Sequence, residues 1–137
     1  MNIETVITRL RHLNEPVPLP MRLPTSDEVD AIEQQLGVKF MPDYRKFLLE
    51  ASDVIYGILE PATITDVTAH TNLLRIAQDA WNQMDLPRNL LPICEDNGDY
   101  FCLNAKGEIV YWSHNGATNE KWADLATWIQ EIWIDQN

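Results

Sequence analysis

Between Leu90 and His114 the chain reads LLPICEDNGDYFCLNAKGEIVYWSH, three short apolar runs separated by two turn signals. The runs are rich in β-branched and aromatic residues, and Asp96-Asn97-Gly98 and Ala105-Lys106-Gly107 supply residues that tolerate or prefer positive φ. The pattern predicts a three-stranded antiparallel meander. Most of the remaining chain carries helical periodicity, so the expected fold class is α+β, with a central antiparallel sheet flanked by helices. At 137 residues the chain fits a single domain with one core.

Ahead of the meander, Ile3, Val6, Ile7, Leu10 and Leu13 recur at three- and four-residue steps, which predicts an amphipathic helix over residues 2–13. Prolines at 16, 18, 20 and 24 then hold the chain extended. About twelve residues upstream are too few for a separate core, so this stretch is an ordered connector. Thr25 and Glu28 form a capping-box pattern ahead of Val29, Ile32 and Leu36, and Gly37 closes that helix. Its outward face carries Asp27, Glu28, Asp30 and Glu33. Pro42 suits the first position of a third helix with Tyr44, Phe47, Leu48 and Ala51 on its buried stripe.

The middle of the chain is read as a strand at Val54 to Leu59, interrupted by Gly57, and a brief strand at Thr63-Ile64-Thr65. Asp66 is then expected to cap a long helix whose face runs His70, Leu73, Leu74, Ala77, Trp81. After the meander, Asn115 to Asn119 reads as a loop and Lys121 to Asp135 as a closing helix that docks by its tryptophans. Five tryptophans could furnish a carbohydrate platform, but those near the end fall at helical spacing, which favours the core.

Charge narrows the function classes. There are 21 acidic against 10 basic residues, a formal net charge of −11 at pH 7. Nucleic-acid binding needs a basic face and is disfavoured, whereas encounter with a basic protein would be accelerated. The competing explanation is that the acidity serves solubility. No apolar run approaches the roughly 20 residues that span a bilayer, so no membrane association is expected. MNIETVITRLRHLNEP lacks the basic-then-apolar layout of a secretory signal, which makes a cytoplasmic protein the expectation.

Candidate chemistry is sparse. His12, His70 and His114 lie far apart with no second histidine or cysteine at a chelating step, so neither a metal nor a cofactor is expected. Cys94 and Cys102 match neither a redox motif nor a zinc knuckle and read as free buried thiols, a cross-strand disulfide being the alternative. Glu95, Asp96 and Asp99 crowd the first hairpin, as the paired carboxylates of a hydrolase would crowd a cleft. Acids at turns also serve simply to bond the local backbone. No serine sits in a nucleophile elbow. A compact acidic binding module remains.

Three segments together resemble the SUKH superfamily, the group that contains the yeast cell-wall synthesis regulator and many bacterial immunity proteins. They are LPTSDEVDAIEQQLGVKFMPDYRKFLLEAS from Leu23 to Ser52, the meander itself, and WADLATWIQEIW near the end. The resemblance covers about four-fifths of the chain, in the family's order. Ala51-Ser52-Asp53 departs from the asparagine-glycine usual after that helix, and the middle, Ile58 to Arg88, carries no family signature. The resemblance implies an α+β fold, no catalysis and, for bacterial members, an immunity protein that neutralises a polymorphic toxin, often a nuclease or deaminase.

The leading expectation is therefore a non-enzymatic protein that binds a basic cognate toxin domain, as a monomer or weak homodimer. Its expected interface comprises Asp53, Tyr56 and Glu60 near the variable middle, and Glu95, Asp96 and Asp99 around the first turn. Tyr56 could equally belong to the core. A regulatory or scaffold protein with a housekeeping partner is the first rival, and a carboxylate-dependent hydrolase the second.

Overall fold

The first hairpin closes on Asn97 at φ 53° and Gly98 at φ 88°, consecutive left-handed residues of the kind that match the twist of the flanking strands. A computed structural model describes residues 1–136. It pairs β1 (Leu91–Asp96), β2 (Asp99–Leu103) and β3 (Ile109–Ser113) antiparallel, with Asp96 opposite Asp99 and Tyr100 opposite Trp112. At the second turn, Asn104 Oδ1 accepts from the amides of Lys106 and Glu108, both at 3.0 Å, while Gly107 takes φ 84°. Pro92 is tolerated in β1 because that strand lies at the sheet's edge and carries a bulge between Pro92 and Cys94.

A fourth strand, β4 (Gly116–Trp122), completes the sheet in the order β1-β2-β3-β4. This corrects the loop expected over Asn115 to Asn119. Its polar residues show no apolar alternation because the strand is an exposed edge, and its ladder is supplied by β3, with Trp112 opposite Ala117 and Ser113 opposite Gly116.

The helices follow their local chemistry closely at the N-terminal half. These are α1 (Ile3–Leu13), α2 (Ser26–Leu36) and α3 (Pro42–Ala51). Both halves of the Thr25–Glu28 capping box are formed, and Gly37 ends α2 at φ 69°. Arg22 and the Thr25 backbone amide hold the Glu28 carboxyl down at about 2.

The middle departs from expectation. Val54 to Leu59 is a loop because its backbone is engaged elsewhere: the Glu15 amide donates to the Ile55 carbonyl at 2.8 Å, and the Ile55 amide donates to Asn14 Oδ1 at 2.9 Å. Thr63 to Thr65 makes only a single-residue bridge, Thr63 to Asn72, beside one from Pro61 to Cys94. The fourth helix, α4 (Leu73–Gln83), begins seven residues after Asp66, and its cap is Asn72, whose Oδ1 accepts from the Arg75 amide at 3.1 Å. Asp66 instead closes a local turn onto the Thr68 amide at 2.9 Å. His70 consequently sits in the preceding loop and is exposed, while Leu73, Ala77 and Trp81 of the expected face are buried.

The closing helix starts late, at α5 (Leu125–Trp128), because Lys121 and Trp122 belong to β4 and Asp124 caps the helix through the Thr127 amide at 2.8 Å. It continues as a π-helical segment, Ile129–Ile134. α4 packs on β1, and the C-terminal helix packs against α1 and α3. Phe101 joins sheet to helix, its ring 5.2 Å from that of Trp128, and Phe47 meets Trp133 edge-on at 6.1 Å. Four tryptophans are buried and Trp122 is half-buried against Phe101. Cys94 and Cys102 are free and buried, and burial pushes the Cys94 thiol up to about 12 and raises that of Cys102. In register Cys94 faces Phe101 and Cys102 faces Pro92, so the two are not opposite one another.

Candidate functional site

The six expected interface residues do not gather in one place. Asp53 follows α3, is half-buried, and forms an ion pair with Arg11 of α1. Seven residues on, the exposed Glu60 pairs with His70 Nε2 at 2.6 Å. Both carboxylates line a cleft of about 230 Å³ whose walls also include Met21, Ile55 and Ile58. Tyr56, between them, turns the other way. It is half-buried against the core, and its carbonyl accepts the Trp133 indole N–H at 2.9 Å. That bond ties the loop to the π-helical segment and places Ile55 and Ile58 outward.

Glu95 and Asp96 are successive strand residues and point to opposite faces. Glu95 shares a hollow with His70, Arg75, Asp79 and Tyr100, which touches the first cleft through His70. Burial, then the charges of Glu95 and Asp79, raises the Tyr100 hydroxyl above its ordinary value. Asp96 borders a different hollow with Tyr111, Glu120 and Trp122. Glu95 and Asp96 therefore do not converge on one substrate position, as a hydrolase working through that pair would need. Glu95 also accepts from the Gly98 amide at 2.8 Å, which is turn chemistry.

Asp99 is the most fully engaged of the six. Its Oδ1 accepts from the His114 amide at 2.9 Å and lies 2.8 Å from His114 Nδ1, and its Oδ2 accepts from the Tyr111 hydroxyl at 2.8 Å. These donors, the His114 amide first, hold its carboxyl below the ordinary 3.8. Burial first, and then Asp99, pushes the Tyr111 hydroxyl up to about 12. A depressed carboxylate contributes stability that is fully present above the unfolded value and is lost as pH falls through the folded one. Asp99→Asn is therefore expected to be less stable than the parent at pH 7, with the gap closing as pH drops below 3.8, as measured by urea unfolding across that range. A gap constant with pH would mean that the carboxylate charge is irrelevant to this cluster.

Sequence reasoning missed the aliphatic part of the first cleft. Leu19, Ile55, Ile58 and Val67 are, with Met1, the large apolar side chains exposed among the described residues, and Ile58 is 88% exposed. A signal was available: from Ala51 to Leu74 the sequence contains Asp53, Glu60 and Asp66 but no lysine or arginine. Among the described residues no group of three or more His, Cys, Asp or Glu could hold a metal ion, and no helix is long and apolar enough to cross a membrane.

No curated protein matches the chain. Among solved structures, a crystal structure of a protein from Pseudomonas syringae pv. tomato is 42% identical, superposes with a TM-score of 0.90, and is matched over 95% of this chain and 97% of that one. The family model described as SMI1-KNR4 cell-wall, SUKH_5, matches residues 3–134. That match spans the N-terminal helices, the middle and the whole sheet, and the chain belongs to the SMI1-KNR4 family of the SUKH superfamily.

Proposed function

We propose that this protein is a non-enzymatic immunity protein, which binds a basic toxin domain of nuclease or deaminase type in the cytoplasm and neutralises it by occlusion. The observation that carries the binding role is the surface built by residues 51–74, where exposed aliphatic side chains stand among carboxylates with no lysine or arginine in the segment. Exposed apolar groups grouped in this way mark interaction surfaces, and a net charge of −11 accelerates encounter with a cationic partner. The toxin as partner follows from membership of a superfamily rich in immunity proteins.

The test is co-expression with the toxin domain encoded beside the gene. Growth should be rescued, the two chains should co-purify as a complex, and association should slow as salt rises because steering is screened over about 8–10 Å at physiological ionic strength. A toxin gene next door against which the protein gives no rescue, or no toxin neighbour at all, overturns the reading. The family's cell-wall description favours a regulatory scaffold as the second reading. A stable complex with a housekeeping protein in place of a toxin would establish that one.

A further inference from the structure

We propose that the cleft between the 52–61 loop and the 69–71 turn, with Met21 of the connector at its side, receives a basic segment of the partner through one aliphatic side chain flanked by lysine or arginine. The inference rests on the binding reading above and specifies its epitope. Four observations converge on it. The cleft is about 230 Å³, room for one branched side chain, and its lining includes Asp53 and Glu60 but no lysine or arginine. Ile55 and Ile58 stand on its wall and Val67 lies in the turn just before Ala69 and His70, which also line it. A second hollow shares Asp53 and Ile55 with the cleft and extends the surface along Glu15, Val17 and Pro20, next to the exposed Leu19. The loop is also held in place: Trp133 donates to the Tyr56 carbonyl and Asn14 to Glu15 engage Ile55, so the surface is preorganised and loses little freedom on binding.

Charge decides the occupant. A second copy of this chain would bring Asp53 and Glu60 against their own kind, and an anionic surface would be repelled by the same groups. A cationic segment meets Glu60, whose partner His70 is an exposed side chain that can swing aside, and Glu15, which has no ion pair among the described residues. Asp53 is already paired with Arg11 and shapes the cleft more than it attracts. The aliphatic anchor supplies the affinity, because it removes apolar surface from water on both sides, while the flanking cations set orientation and encounter rate.

The test uses the full, isotope-labelled chain titrated with the synthetic peptide acetyl-Lys-Arg-Leu-Lys-Arg-amide, and with the same peptide carrying glycine in place of leucine. Amide shifts should concentrate at Ile55, Ile58, Glu60 and His70, and the glycine peptide should bind about fivefold more weakly or worse. Ile58→Ser, a charge-neutral change at a side chain 88% exposed, should weaken binding about tenfold at an unchanged unfolding midpoint, whereas Glu131→Gln on the π-helical segment should bind as the parent does. Shifts centred elsewhere, equal binding of the two peptides, no binding, or an Ile58→Ser variant that binds normally would each overturn the proposal. Peptide binding at the cleft without protection from the toxin would overturn the immunity reading alone. Protection that survives Ile58→Ser would overturn the docking proposal alone.

Discussion

Replacing Trp133 by alanine is expected to lower stability by about 3–5 kcal/mol, the range for deleting a large aromatic from a packed core. The side chain is 1% exposed and lies edge-on to Phe47, 6.1 Å between ring centroids, on the helix that joins α1 and α3 to the rest of the molecule. The substitution also removes the indole N–H that holds the Tyr56 carbonyl. Two effects are therefore superposed, a cavity and a released loop, and Trp133→Phe separates them. Phenylalanine keeps most of the apolar bulk and removes the indole hydrogen bond to that carbonyl, for an expected loss of about 1–3 kcal/mol. Urea unfolding gives both numbers, and amide hydrogen exchange at residues 54–60 should accelerate in both variants. An alanine variant within about 1 kcal/mol of the parent would show that the π-helical segment does not dock as described.

Trp112→Ala is the second large effect, again about 3–5 kcal/mol. Trp112 is 7% exposed, stands opposite Tyr100 on β2 with ring centroids 6.0 Å apart, and faces Ala117 across the edge pairing. Its loss removes a cross-strand aromatic pair and the surface on which β4 is seated. Exchange protection along Gly116–Trp122 should therefore fall further than protection in β1. A change inside about 0.5 kcal/mol would mean that β3 presents its other face to the core, since a one-residue slip exchanges the two faces.

The parts of the fold that were legible in advance share one property: their determinants lie within a few residues of each other. Asn97-Gly98 carries the positive φ values of its own turn, Thr25 and Glu28 satisfy each other's backbone, and Pro42 costs nothing at the start of α3. The misreadings occur where two local solutions compete. Asp66 and Asn72 are both good helix caps, and nothing nearby in sequence chooses between them. The choice comes from Thr63, whose amide donates to the Thr71 carbonyl at 2.8 Å and whose carbonyl accepts from the Leu73 amide at 2.7 Å, pinning the chain so that the helix begins only there. Likewise, Val54 to Leu59 has strand-like composition, but Asn14 and Glu15 occupy the backbone groups of Ile55.

The candidate site divides in the same way. The acids around the first turn were easy to find, yet Asp99 is largely consumed by local hydrogen bonds, Glu95 accepts from the Gly98 amide, and Asp96 faces away from Glu95. Asp53 and Glu60 do share a cleft, but its aliphatic walls were missed because Ile55 and Ile58 look like any strand's buried residues, the lack of lysine and arginine from Ala51 to Leu74 being the one signal that set the stretch apart. Local stereochemistry and capping thus specified the meander and the first three helices, and composition the acidity. The exposure of Ile58, the inward turn of Tyr56 and the cleft depend on partners far along the chain, Trp133 among them, and the polar fourth strand depends on the ladder that β3 offers it. A backbone group can be satisfied by many neighbours, and only the folded chain shows which one it takes.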